Sequence, residues 1–230
     1  MKKVKAAVLE LMLAQRRTVA DVQPLIAYAD MTDEQLVESV QNGENEAYAH
    51  IVRRYQSKIY AYIMRLTNHP VEAQDILQEV FIGVWTGSGK FQGRAQVKTW
   101  LFRIAHYQTA TWLRNQKRYA GERDDAIENL EDQENETPET LAFDAWNFSQ
   151  IQKALCELSA DHREAIELSF THGFSNAEIA IILDCPVGTV KSRLHNALRN
   201  LNGILATQEI INKDRNSSAH RGNNPKNKKD

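Results

Sequence analysis

Ser175-Asn176-Ala177-Glu178-Ile179-Ala180-Ile181-Ile182-Leu183-Asp184-Cys185-Pro186-Val187-Gly188-Thr189-Val190-Lys191-Ser192-Arg193-Leu194-His195-Asn196-Ala197-Leu198 is the stretch on which the fold turns. Ser175 and Glu178 are spaced as a capping box, in which each side chain satisfies the other residue's backbone N–H. They open a short helix that turns Ile179, Ala180 and Leu183 inward. Asp184-Cys185 turns the chain, and Pro186 suits the start of a second helix. Two short helices joined by a tight turn predict a helix-turn-helix. The second helix places Val187, Val190, Leu194, Ala197, Leu198 and Leu201 on one side. At about 100° per residue the opposite side carries Gly188, Lys191, Ser192, His195, Asn196 and Arg199. That side has donors and cations but no acid, which suits a major groove. A plain solvated helix face has similar polarity; the capped, acid-free context favours DNA.

Outward from this stretch, apolar residues recur at three and four positions, so the fold expected is all-α. Thr32 with Gln35 forms another capping box. A helix over about 44–67 aligns Ala47, Ile51, Val52, Tyr55, Ile59, Tyr62, Ile63 and Leu66. Asn68-His69 breaks it, and Pro70 starts a helix with Ala73, Ile76, Leu77, Val80, Phe81, Val84 and Trp85 inside. Gly87-Ser88-Gly89 reads as a loop. A further helix is expected over about 97–116, and three or four more over 141–207.

The net charge of −2 conceals a segregation. Residues 80–121 hold seven cations and no acid, whereas 121–149 hold ten acids and one cation, Arg123. Such asymmetry points to a polyanionic partner. The domain layout expected is an N-terminal extension of unknown role (1–30), a first helical domain (31–120), an acidic flexible linker (121–140), the helix-turn-helix domain (141–207), and a disordered polar and basic tail (208–230). The linker has too few apolar residues to offset its ordering entropy. The extension leaves two options: an accessory segment, or translation beginning at Met31.

No apolar run approaches the roughly 18 residues of a membrane span. Cys156 and Cys185 have no metal spacing, which suits a reducing, cytoplasmic setting. No metal or other cofactor is expected.

The segment from Asp184 to Leu194 resembles the region-four helix-turn-helix of the extracytoplasmic-function sigma factors, in the sigma-70 family. Ala154-Leu155-Cys156-Glu157-Leu158 and Arg163-Glu164-Ala165-Ile166 match the same pattern. The resemblance implies that the second helix reads the upstream promoter element. Lys191, Ser192, His195 and Asn196 would reach base edges, and Thr189 and Arg193 would touch phosphates.

Asp75-Ile76-Leu77-Gln78-Glu79-Val80-Phe81-Ile82-Gly83-Val84-Trp85 resembles that family's region-two helix. Glu72, Asp75 and Glu79 share a face by spacing alone, and an acidic face suits a basic partner. The resemblance implies that core RNA polymerase is that partner, with Gln78 and Phe81 in the same set. Phe91-Gln92-Gly93-Arg94-Ala95 and Thr99-Trp100-Leu101-Phe102-Arg103-Ile104-Ala105 resemble its promoter-melting segment. Aromatics interleaved with cations suit single-stranded DNA, because bases stack on rings while cations hold phosphates. The downstream-element set is Phe91, Gly93, Arg94, Lys98, Arg103, His106 and Tyr107. Trp100 and Trp112 fit the helix's apolar side and are assigned to packing. The chain departs from the family where Tyr107 replaces a common asparagine.

The resemblance therefore implies a non-enzymatic initiation factor whose partners are core RNA polymerase, promoter DNA and an anti-sigma factor. One rival is a stand-alone helix-turn-helix regulator, which leaves the first domain unexplained. The other is a metal hydrolase built on His69, Glu72 and Asp75, which lacks a Cys/His cluster or a glycine-rich phosphate loop.

Overall fold

The computed structural model describes residues 28–120, 153–155 and 157–221. The described residues form helices and connecting turns, with no strand. Most of the expected extension and the whole expected linker lie outside them.

Helix α1 (Asp33–Gln41) starts at the capping box foreseen in the sequence: Thr32 Oγ1 accepts from Gln35 N, and Gln35 Oε1 accepts from Thr32 N at 2.9 Å. Helix α2 (Asn45–Thr67) buries the apolar stripe named above. It ends where Asn68 adopts the left-handed conformation, φ 57°. Asparagine tolerates that region better than most residues. Helix α3 (Pro70–Gly87) has Pro70 in its first turn, where a missing N–H costs nothing. A 3-10 turn (Ser88–Lys90) then replaces the open loop expected at 87–89. Helix α4 covers Val97–Ala120, one turn longer than expected.

The C-terminal unit contains α5 (Ala160–Ile166), a π-helical turn (Glu167–Thr171), α6 (Asn176–Ile182) and α7 (Val187–Arg221). Ser175 Oγ accepts from Glu178 N, and Glu178 Oε2 accepts from Ser175 N at 2.8 Å, so the second capping box forms as expected. Asp184 takes φ 51° at the turn, and the Pro186 carbonyl accepts the first hydrogen bonds of α7. Of the tail expected to be disordered from residue 208, the part through Arg221 is helical, as a continuation of α7, and 222–230 lie outside the described residues. Residues 204–221 contain neither glycine nor proline, so nothing local stops the helix before Gly222.

The core of the first unit centres on Tyr48, Tyr62, Phe81, Phe102 and Leu101, all fully buried. Each such large side chain contributes about 1.5–3 kcal/mol on leaving water. Tyr48 Oη donates to the Phe81 carbonyl at 2.8 Å, and its ring meets Trp85 edge-on at 5.0 Å. Gly83 lets α3 approach α4 closely, since a Cβ there would stand 3.0 Å from Ile104 Cγ2. The sequence suggested two helical domains on a tether. In the structure they abut: Leu168, Phe174, Ile179, Ile182 and Val190 join the same apolar cluster as the first unit.

Candidate promoter and polymerase interfaces

The face expected to meet polymerase lies on α3. Asp75 is exposed, and Glu72, Gln78 and Glu79 are partly exposed. Asp75, Gln78 and Glu79 line one wall of a cleft whose other wall is Thr111 and Trp112 of α4. Behind them Leu77, Val80 and Phe81 are buried, so the charged row stands on a rigid helix. Phe81 is a correction: its ring is fully buried, so it supports this face rather than forming part of it. The i, i+4 stripe places it with Leu77 toward the core.

The downstream-element residues fall into two groups. Phe91, Gly93 and Arg94 lie in the loop before α4. Gly93 takes φ +67°, which suits glycine, and Arg94 is exposed. Phe91 is half-buried with its ring 4.9 Å from Trp100, and its carbonyl accepts from Gln41 Nε2. Trp100 and Trp112 are partly buried against the core, as packing requires.

The second group lies along α4, where the C-terminal unit covers three of its four members. Lys98 Nζ donates to the His172 carbonyl at 2.5 Å and stands 4.3 Å from the Phe174 ring. Burial, reinforced by Lys58, pushes its ammonium below the ordinary lysine range. Arg103 pairs with Asp184 at 3.0 Å, and His106 Nδ1 lies 2.6 Å from Glu164 Oε1. Tyr107 remains free of this junction, with 64% of its surface exposed.

The same junction contains carboxylates that the sequence did not single out. Glu167 in the π turn is 4% exposed and pairs with Arg65 of α2. Nε2 of His172 lies 3.2 Å away, within ion-pair reach but off the direction a ring N–H donates along. Burial pushes the Glu167 carboxyl up, yet His172 and the Arg65 guanidinium together hold it below the usual carboxylate value. Tyr62, fully buried in α2, donates its hydroxyl to Glu164. Burial and the adjacent carboxylates raise that phenol well above the ordinary range. A charge signal was available: residues 80–121 are acid-free, and six acids lie between 150 and 205.

On α7, Lys191, Ser192 and His195 are exposed, and Thr189 and Asn196 partly so. Ser192 Oγ donates to the Thr189 carbonyl at 2.9 Å. Val190 and Ala197 are fully buried on the opposite side, so the reading face points outward. Arg193 differs from expectation: its guanidinium reaches back to Asp161 at 2.6 Å and ties α7 to α5. Cys185 is a half-buried free thiol. Among the described residues no group of three or more His, Cys, Asp or Glu could hold a metal ion, so His69, Glu72 and Asp75 make no such site. No described helix is long and apolar enough to cross a membrane.

The chain is similar to known proteins in sequence and in fold. Residues 51–119 match the family model for sigma-70 region 2, and residues 148–201 match that for sigma-70 region 4. The sigma-E factor of Escherichia coli K12, described as an ECF RNA polymerase factor, is 37% identical over 174 residues. That match covers 73% of this chain and 91% of the relative. The RNA polymerase sigma-H factor of Pseudomonas aeruginosa is 35% identical over 172 residues, 72% of this chain and 89% of the relative. Among solved structures, the Bartonella quintana sigma factor RpoE, bound to the anti-sigma factor NepR, matches with a TM-score of 0.58 at 27% identity. It covers 68% of this chain and 95% of that one. CnrH, bound to the cytosolic domain of CnrY, shares the fold at a TM-score of 0.58 and 19% identity, over 76% and 97% of the two chains.

Two helical units with these matches define a bacterial transcription initiation factor of the two-region type. The chain belongs to the sigma-70 family, in its extracytoplasmic-function group. It directs promoter-specific initiation by RNA polymerase and is not an enzyme.

Proposed function

We propose that the cleft edge of α3 docks core RNA polymerase through Glu72, Asp75, Gln78 and Glu79. We also propose that the loop before α4 and one face of α4 receive the opened promoter strand, and that Lys191, Ser192, His195 and Asn196 read the upstream element. The observation that carries the docking assignment is a polar row, acidic Asp75 and Glu79 with the amide of Gln78, backed by buried Leu77, Val80 and Phe81 and open along a cleft. Complementary charge at such a face sets orientation and association rate. Free DNA binding is expected to be weak, because residues 150–205 carry five cations against six acids. Polymerase would hold both units at high effective concentration. Its site of work places the chain in the cytoplasm, and an anti-sigma partner follows from the likeness to a sigma factor solved with one.

The test is co-purification with core enzyme. Asp75→Lys with Glu79→Lys should reduce retention of the chain on core polymerase while leaving its helicity and melting temperature close to wild type. Wild-type retention by the double variant would overturn the assignment.

A further inference from the structure

We infer that Gln41, the last residue of α1, is a positioning residue for the opened strand: its amide holds the turn from which the strand-receiving loop before α4 departs. The inference rests on the assignment of that loop to the opened strand proposed above.

Gly87-Ser88-Gly89 reads in the sequence as an open loop. In the structure Ser88–Lys90 is a 3-10 turn, closed by a backbone bond from Phe91 N to the Ser88 carbonyl at 2.9 Å. That bond alone is a weak hold on a segment with glycine at either side of Ser88, since glycine loses more conformational freedom on ordering than any other residue. Further hold comes from α1. Gln41 Nε2 donates to the Ser88 carbonyl at 2.8 Å and to the Phe91 carbonyl at 3.2 Å. A side-chain amide carries two N–H groups, so it can clasp both ends of the turn at once. The Ser88 hydroxyl is engaged separately, donating to the Trp85 carbonyl at 2.9 Å.

The clasp stands on a fixed support. Helix α1 buries Leu36, Val37 and Val40 against the core. At its start Arg54 Nη1 donates to Asp33 Oδ1 at 2.5 Å and to the Met31 carbonyl at 3.2 Å. Beyond the turn the Phe91 ring leans on Trp100, while Gln92, Gly93 and Arg94 stand exposed. The loop is therefore held from two sides, by α4 through Trp100 and by α1 through Gln41. Gln41 uses its N–H groups on the protein's own carbonyls, so it acts on DNA through the loop and not by touching a base. A loop already held in place meets the strand without being ordered at that moment, which lowers the entropy cost of capture.

The experiment compares wild type with Gln41→Met, Gln41→Met/Gly89→Ala and Arg94→Ala. Methionine keeps the length of glutamine and has no N–H to donate. Gly89 does not take a positive φ and has open space where a Cβ would stand, so alanine fits there and stiffens the turn. Amide hydrogen exchange at Phe91 reads the turn in the free chain. Strand capture is read with holoenzyme, as the affinity ratio between two forked fragments of a promoter that the chain transcribes, one of which adds the single-stranded downstream element. In Gln41→Met the Phe91 amide should exchange faster. Its capture ratio should fall about three- to tenfold, the scale of one or two ordinary hydrogen bonds. Affinity for the shorter fork, retention on core polymerase and melting temperature should stay near wild type. Adding Gly89→Ala should recover about twofold or more of the loss. Unchanged exchange at Phe91, or a wild-type capture ratio, would overturn the proposal. So would a loss that core retention or melting temperature shares, since that marks general destabilisation. A loss that Gly89→Ala does not lessen would also overturn it, because Gln41 would then not act through the turn. Arg94→Ala separates the two readings. An unchanged capture ratio there would take the loop out of the strand's path, while exchange at Phe91 would still report the clasp.

Discussion

Tyr107 stands on α4 with its ring in solvent, so packing does not explain it. An asparagine hydrogen-bonds a flipped base edge both as donor and as acceptor, whereas a phenol has one hydroxyl and a stacking face. Stacking contributes about 1–3 kcal/mol per base with little sequence preference. This chain is therefore expected to read the flipped downstream base more loosely than Tyr107→Asn. Open-complex formation on templates carrying each base at that position checks it; an unchanged base profile in the variant would leave Tyr107 without a reading role. The upstream side gives a contrasting pair. Lys191→Ala and His195→Ala should each lose discrimination at particular base pairs, by about 1–3 kcal/mol for a good bidentate contact and less for histidine. Arg193→Ala should instead act through the fold, because its guanidinium is held by Asp161. Its melting temperature should fall with that of Asp161→Ala, and their double variant should lose less than the sum. Promoter binding scaled down uniformly, with no loss of stability, would return Arg193 to the phosphates.

The helix-turn-helix depends on how α6 begins. Ser175 and Glu178 exchange hydrogen bonds there, and these bonds, Ser175's side chain first, hold the Glu178 carboxyl below its ordinary value of 4.5. A carboxyl depressed in the folded state contributes stability that is fully present above the unfolded value and lost as pH falls through the folded one. Ser175→Ala should cost about 1 kcal/mol at neutral pH. It should also flatten the loss of stability below pH 4.5 relative to wild type, which melting curves across that range would show. An equal acid slope in both proteins would mean that the box does not set the Glu178 value. This element was legible in the sequence because its signals are local: serine, glutamate three residues on, then an apolar pattern. The α2 and α3 stripes were legible for the same reason. The length of α7 was not, because polar composition after residue 211 suggested disorder, while the absence of any breaker before Gly222 carried more weight.

At the scale of the whole molecule, the two recognition regions were legible and their contact was not. Arg65 meets Glu167 and Tyr62 meets Glu164 across 102 residues of chain, and no periodicity records such a pairing. Only the complementary charge of the two segments hinted at it. The burial of Phe81 likewise separated the docking row from its support, although both sit on one quoted motif. Both units together are expected to serve promoter-directed initiation by polymerase. This is tested most directly by in vitro transcription: core RNA polymerase, a library of genomic promoter fragments from the organism that encodes the chain, and the purified protein. Transcripts should appear from a discrete set of fragments and be absent with core alone. Those transcripts should be lost with Asp75→Lys/Glu79→Lys and reduced on a subset of promoters by Lys191→Ala. Transcription by core polymerase that is unchanged when the wild-type protein is added would contradict it.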